Sequence, residues 1–539
     1  MVNLPTHKPY KSYQSPLRKL VRFFEQSRDR WKAKCQAAKK RLKRLKNRVR
    51  FLQQSRDNWK KRAKELELEV IRLKREQARL EQQIADLKQN QAEATGGSGE
   101  LEQFKVVPAH HTYSVGHSAL FVALVLTAAI SLRAAGRVFE LVVATLGLPL
   151  RCPSWSAGRL WLLRLGYYKL TRPKQPAEDW VWIVDHSLQL GREKCLVILG
   201  VRLSTLPAPE RCLGHGDVEP LALFVVKQSN GPVVYQQLEE TMTQTGPPRA
   251  IVADKGTDLH AGIQQFCQAH PETDYIYDIK HKTAAVLRQE LADEPAWQEF
   301  SRRAAQTKRQ VQQTALAALA PPQQKSKARY MNVDTLLDWG QNMLRWLDQA
   351  PAERAGHFDP AQVEAKLGWL TDFRPHLTEW QQLLADLTSI ESFVRQEGLS
   401  AATEHDLNHH LPSLQVETER TRKVRQQLLD FVTTQAAKAQ ANERLLGSSE
   451  VIESVFGKLK RIEQDQARSG FTGLLLSLAA MVSHTTTEVV QKALETVPTQ
   501  TVLTWCQEKL GPSVQAQRRA AFIAEAKPEQ KWDQLPVPI

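Results

Sequence analysis

Apolar residues recur with a heptad period through the first ninety positions of this chain. Phe24, Trp31, Ala38, Leu45, Leu52, Trp59, Leu66, Leu73, Leu80 and Leu87 all fall at position d of one register. Val21, Cys35, Leu42, Val49, Ala63, Val70 and Ile84 fill position a, interrupted by Arg28, Arg56 and Gln77. A repeat of about 3.5 residues held this long predicts a left-handed coiled coil over 1–90. The segment FFEQSRDRWKAK at 23–34 returns as FLQQSRDNWKKR at 51–62, a shift of 28 residues that keeps the seam in register. Duplication of one helical unit accounts for it, and the seam predicts a homodimer or higher assembly.

The pattern then changes. QAEATGGSGE at 91–100 opens a flexible linker expected over 91–104. Helical periodicity returns at 117–130, 131–147 and 154–165, with Gly147 and Pro149 ending the second of these helices. Two short helices and a turn suggest a helix-turn-helix-like DNA-binding domain over 105–175, with Arg159 and Arg164 as candidate DNA contacts. From Trp180 the apolar runs shorten to strand length in WVWIVDHSL, KCLVILGVRLS and PLALFVVKQ. A helix at 232–245, a strand in RAIVADKG, a helix at 258–269 and a strand in DYIYD follow. The order β-β-β-α-β-α-β is the layout of an RNase H-like domain, whose first part is expected over 178–280. Residues 281–445 read as almost wholly helical, an insertion before the segment SSEVIESVFGKLKRIEQD at 448–465. The second part of the core is expected over 446–492, and C-terminal helices with a Pro-punctuated tail over 493–539. The fold class is therefore multidomain α/β plus α: coiled coil, helical domain, and a mixed-sheet catalytic domain carrying a large helical insertion.

Charge sharpens this organisation. The chain of 539 residues has a formal net charge of +16, and residues 1–90 alone hold 27 Lys/Arg against 9 Asp/Glu. The basic excess thus lies wholly in the N-terminal arm, and it points to an anionic partner, nucleic acid first. Six cysteines without a C-x-x-C pair argue against a disulfide framework or a structural zinc site and fit a reducing cytoplasm. The run at 113–132 lacks Asp, Glu, Lys and Arg, but His117, Gly116 and its hydroxyl residues favour a buried core helix over a membrane span.

Two aspartates stand out on this background. Asp185 interrupts the apolar strand WIVDHS, and Asp254 ends the strand IVADKG. A carboxylate in such a place is costly unless it is paired or bound to metal. In the late helical segment Glu450 and Glu453 lie three apart on one face, followed by Lys458 and Lys460, which are candidate phosphate contacts. Asp278 and His281, in YDIKHK after the fifth strand, form an acid–imidazole pair near the expected site, with His281 a candidate for positioning a phosphate. Asp258 and His186 are further candidates. No Gly-rich phosphate loop is present, so an NTP-driven mechanism finds no support.

The order of WIVDHS, IVADKGTDL and SSEVIESVFGKLK resembles the Asp-Asp-Glu transposases of bacterial insertion sequences, over about 178–490. The resemblance implies Asp185, Asp254 and Glu453 as catalytic carboxylates holding two Mg²⁺ ions, with Mn²⁺ able to substitute. It also implies end cleavage followed by joining of the 3′-OH to target double-stranded DNA, and a cytoplasmic, nucleoid-associated protein without a membrane segment. The gap from Asp254 to Glu453 is far longer than in compact members, so a third ligand in this helix depends on 281–445 being an insertion, and Glu450 stays open beside Glu453 within the same helix. Two other readings stay open at this point: an RNase H-like nuclease or resolvase that cuts without joining, and a coiled-coil DNA-binding protein without enzymatic activity.

Overall fold

The computed structural model describes residues 16–32, 34–36, 39 and 102–525, apart from 191–192, 210, 324–329, 331–332, 351–353, 355–357, 412–417, 465–472 and 513. The chain divides into two compact units, Met1–Glu100 and Leu101–Ile539. In the first unit the described residues are helical from Leu17 onward. Val21, Phe24 and Trp31, at the a and d positions of the heptad register, are exposed on the single chain. The coiled coil beyond residue 39 and the Gly/Ser stretch of the linker lie outside the described residues, as does the Pro-punctuated tail from 526. The end of the expected linker is ordered: Glu102–Phe104 forms a short 3₁₀ turn. Phe104 there lies so close to Gly116 that a Cβ on the glycine would sit 2.8 Å from its ring.

In the second unit three helices come first, α1 (Val115–Leu126), α2 (Leu132–Leu146) and α3 (Trp155–Thr171). Ser131 and Ser154 cap α2 and α3, accepting hydrogen bonds from Ala134 N and Ala157 N. The apolar run at 113–132 forms α1, which stops at Leu126 and is mostly buried. At 12 residues it is too short to cross a bilayer, and no helix among the described residues is long and apolar enough to do so.

The expected β-β-β-α-β-α-β order follows. Strands β1 (Trp180–Leu190), β2 (Glu193–Arg202) and β3 (Glu219–Val226) precede α4 (Gly231–Thr245), β4 (Ala250–Ala253), α5 (Thr257–Ala269) and β5 (Asp274–Tyr277). They form one mixed sheet in the order β3-β2-β1-β4-β5. The β1–β2 and β2–β3 pairs are antiparallel, and the β1–β4 and β4–β5 pairs are parallel. Alternation along the strands divides the sheet into two faces. Trp182, Val184, Leu196 and Ile198 meet Val234 and Leu238 of α4 and Ile263 and Phe266 of α5 on one face. Val181, Ile183, Val197 and Leu199 join the larger core on the other. Burial on both faces explains why β1 reads as an unbroken apolar run before Asp185.

The chain next runs directly into α6 (Ile279–Leu291) and then into helices α7 (Pro295–Val311), α8 (Asp334–Leu347), α9 (Pro360–Leu367), α10 (Arg374–Glu397), α11 (Thr403–His410) and α12 (Glu419–Ala436). The described part of the expected insertion is thus helical, built around Trp297, Phe300 and Trp380, whose rings contact one another. Arg249 ties the end of this insertion back to the sheet. Its guanidinium binds Glu443 at 2.8 Å and Asp274 at 2.6 Å. Helices α13 (Glu450–Gln464), α14 (Leu475–Met481), α15 (Thr487–Thr496), α16 (Thr499–Leu510) and α17 (Val514–Glu525) complete the unit.

The segment 105–175 does not stand apart as a helix-turn-helix. Trp161, Leu162, Leu163 and Leu165 of α3 share one core with the sheet and with Leu475, Leu476 and Leu478 of α14. A Cβ on Gly166 would fall 1.9 Å from the Leu476 carbonyl oxygen, so the two helices meet backbone to backbone. Buried Lys169 adds to the seam, donating to Val482 O and Ser483 O at 2.8 Å each and to Thr485 Oγ1 at 2.7 Å. A recognition helix must present an open face to a groove, and α3 is buried from Trp161 to Gly166, with exposed residues only at its two ends, Trp155 among them.

Candidate active site

The two singled-out aspartates become neighbours through the register of adjacent parallel strands. Val184 of β1 pairs with Ala253 of β4, so Asp185 and Asp254 are the next residues on each side. Adjacent strands lie roughly 4.8 Å apart, which sets the two carboxylates side by side at the carboxyl edge of the sheet. Alternation assigns both to the face of Ile183 and Val252, the face that α6 and α13 cover. The β1–β2 register shifts between His186 and Leu188, immediately after Asp185. Such irregularities re-aim side chains at the end of a strand.

Electrostatics registers the pairing. Burial, and then the charge of Asp254, pushes the Asp185 carboxyl up to about 7, against the opposing effects of the His186 N–H and His281. Glu453 adds to the upward push. The His186 N–H donates to Asp185 Oδ1 at 2.6 Å, and Gly256 N–H donates to Asp254 Oδ1 at 2.9 Å. Tyr275 Oη donates to the Asp254 carbonyl oxygen and fixes the end of β4 against β5.

Glu453 faces the same cluster but is already engaged. Lys280 Nζ lies 2.9 Å from its Oε2, and His281 Nε2 lies 3.3 Å from its Oε1. Burial opposes charge on His281, yet the hydrogen bond to Glu453 and the carboxylates of Asp278, Asp254 and Glu453 win and hold it up at about 9. Burial likewise opposes charge on Glu453, but the bonds to His281 and Lys280 pull its carboxyl below the ordinary range. Glu450 points elsewhere, pairing with Arg395 at 2.7 Å. Glu453 is thus the glutamate of this helix that acts on Asp185. Among the described residues, no group of three or more His, Cys, Asp or Glu is close enough to hold a metal ion as it stands.

Asp278 is the junction on which this arrangement hangs. It is buried and caps α6 by accepting the His281 N–H at 2.8 Å. Its other oxygen accepts Ser449 N–H at 2.6 Å and Ser449 Oγ–H at 2.9 Å, just ahead of the Glu453 helix. Asp278 N–H donates to Ala253 O and Ile279 N–H to Gly447 O, each at 3.0 Å. One residue therefore joins the end of β4, the start of α6 and the start of α13. Its role is positional.

The other sequence candidates divide. Asp258 is held down to about 2: burial works against ionisation, but hydrogen bonds to Lys194 and Ser229 overcome it. Lys194 Nζ lies 2.7 Å from its Oδ2, and His186 Nε2 lies 3.8 Å from the same oxygen. Arg164 is buried and donates to Leu494 O and His111 Nε2, so it is committed inside the helical core rather than offered to DNA. Arg159 lies 3.2 Å from where a Cβ on Gly473 would be, also against the interior. Lys458 lines a groove of about 700 Å³ with α1, Met481 and His484, on a different side of α13 from Glu453. Lys460 is exposed. Lys280, which binds Glu453 most closely, was not singled out by the sequence, although the run IKHK after the last strand carried the signal.

No protein-family model matches the chain, and no curated protein is similar to it. Among solved structures, the Drosophila P element transposase strand transfer complex aligns at 11% identity, covering 85% of this chain and 95% of that one, with a TM-score of 0.27. An overlay that loose bears on neither fold nor function.

Proposed function

We propose that this chain is a DNA transposase of the RNase H-like, Asp-Asp-Glu kind. It cuts the ends of a mobile element and joins the freed 3′-OH to target double-stranded DNA. The observation that carries the reading is the placing of Asp185 and Asp254 directly after the last Val184–Ala253 pair of the parallel β1–β4 ladder, with one carboxyl raised to about 7. The negative charge of Asp254 disfavours ionisation of Asp185, and a divalent cation held by the two carboxylates would relieve that repulsion.

The donor set fits Mg²⁺ or Mn²⁺, which take carboxylate oxygens. Asp185 and Asp254 would hold the ions. Glu453, now bonded to Lys280 and His281, would be the third ligand on giving up those bonds. Bound divalent ions supply positive charge that activates the attacking oxygen and steadies the leaving one. In the first step a water oxygen bonds to phosphorus and the 3′ oxygen leaves, taking up a proton. In the second, that 3′ hydroxyl attacks a target phosphate, releasing another 3′ oxygen. Neither step needs a covalent bond between protein and DNA. His281, protonated at neutral pH, and Lys280 place two positive charges beside the carboxylates, where a scissile phosphate would lie.

The test uses duplex DNA bearing the sequences that flank this reading frame. With Mg²⁺, the wild-type chain should cut and join these ends. Asp185→Asn and Asp254→Asn should each lower the rate at least about 10³-fold while sparing DNA binding. Full activity in either variant would overturn the proposal. Cutting without joining would reassign the chain as a nuclease.

A further inference from the structure

Next to the carboxylates, four side chains from four different segments form one continuous edge. Lys255, directly after Asp254, places Nζ 4.8 Å from the centre of the Tyr277 ring. Tyr277, at the end of β5, meets Phe431 of α12 edge to face, with ring centres 5.8 Å apart at 84°. Lys282 of α6 places its Nζ 5.2 Å from the centre of the Phe431 ring. Each lysine therefore lies on an aromatic face, an arrangement that holds an ammonium without a carboxylate partner. Neither forms an ion pair among the described residues.

Lys282 also senses Lys255. Burial, and then the positive charge of Lys255, pulls the Lys282 ammonium below its ordinary range. Lys255 acts in the same direction on His260 and Lys438, in each case after burial. Lys438 is spoken for, donating to Tyr275 O at 2.6 Å and to Gln435 Oε1 at 3.0 Å. Lys255 and Lys282 are left as mutually repelling charges whose strain an anion would relieve.

We infer that Lys255, Tyr277, Phe431 and Lys282 form a seat for the phosphodiester backbone of DNA beside the Asp185–Asp254 pair. The choice of DNA rests on the phosphoryl-transfer reading; the cationic seat itself rests on the geometry. Position supports it, because Lys255 and Lys282 adjoin Asp254 and His281 in sequence, so a strand held here runs past the carboxylates. Phe431 comes from the helical insertion, which gives that insertion a part in binding: it builds one wall of the strand's path. Two phosphate contacts are the expected yield. Sequence-specific readout is not, since among the described residues neither lysine nor ring is directed by a side-chain hydrogen-bonding partner that could discriminate bases.

The experiment uses the full chain and a labelled duplex containing 5-bromodeoxyuridine, with chelator present so that no chemistry occurs. Irradiation should crosslink the peptide carrying Tyr277 or that carrying Phe431, in addition to any crosslinks on the basic arm. The double variant Lys255→Gln/Lys282→Gln should lose those crosslinks and flatten the dependence of log affinity on log salt by about 1.8, at about 0.9 per phosphate contact. Lys255→Arg/Lys282→Arg should restore both. Crosslinks confined to residues 1–90, or an unchanged salt slope in the Gln variant, would overturn the inference. These outcomes are read without metal, so they remain separate from failure of the active-site reading. If Asp185→Asn still cuts DNA while the Gln pair loses binding, the seat stands and the catalytic assignment falls.

Discussion

At the scale of single residues, the site is a balance between like charges and their partners. Burial and then the charge of Asp254 raise Asp185, while Glu453 is lowered, against burial, by His281 and Lys280. The imidazole is the group whose titration reports this best. Its folded value, about 9, lies above an unfolded value near 6.5. Its contribution to stability is therefore complete below about pH 6.5 and is lost as pH rises through 9. Glu453 works in the opposite sense, contributing above the ordinary carboxylate range and losing that contribution as pH falls through its depressed value. The pair is most stabilising between about pH 4.5 and 6.5. Glu453→Gln should lower the His281 titration midpoint by about 1–2 units, read by NMR of the imidazole in metal-free protein. An unmoved midpoint would mean that the hydrogen bond to Glu453 is not what holds the proton.

At the scale of elements, Asp278 makes the site a joint property of β4, α6 and α13. Removing its carboxylate leaves the Ser449 N–H and Oγ–H and the α6 amino end without their acceptor in a buried place. Asp278→Ala should cost about 2–4 kcal/mol, the sum expected for a lost cap and for stranded buried donors. Urea unfolding would measure it, and a loss under about 0.5 kcal/mol would show that these elements are held together elsewhere. The sheet behind this joint was legible in the sequence because its strands are apolar on both faces and end at turns. Asp185 and Asp254 were legible for the same reason, as charges placed where an apolar run would otherwise continue. The partners of Glu453 were less so. Lys280 and Glu453 are brought together only once β5 runs straight into α6, and no local pattern encodes that distance. Arg164 shows the converse: its sequence neighbourhood resembles a basic helix face, but long-range packing against α14 and α15 buries it.

At the scale of the whole chain, two units divide the charge. The arm up to residue 90 holds the basic excess, and the second unit is nearly balanced, so its cationic surface has to be local. Lys255 and Lys282 supply such a surface next to the acidic pair. The helical stretch after α6 separates Asp254 from Glu453 in sequence without separating them in space, since α13 returns to the face of β1 that carries Asp185. This explains why the long gap between the two residues does not by itself count against their acting together. It also explains why the length of the gap says little about the site. The insertion folds around its own aromatic cluster and then hands the chain back through the Arg249–Glu443 clamp.

The account stands or falls on whether the Asp185–Asp254 pair takes up divalent ions. Titrating the metal-free chain with Mn²⁺ and following the free ion by electron paramagnetic resonance tests this directly. The wild-type chain should bind Mn²⁺ at a site that Mg²⁺ competes for, and Asp185→Asn or Asp254→Asn should weaken that binding at least about tenfold, near 1.4 kcal/mol. Unchanged Mn²⁺ binding in both variants would contradict it.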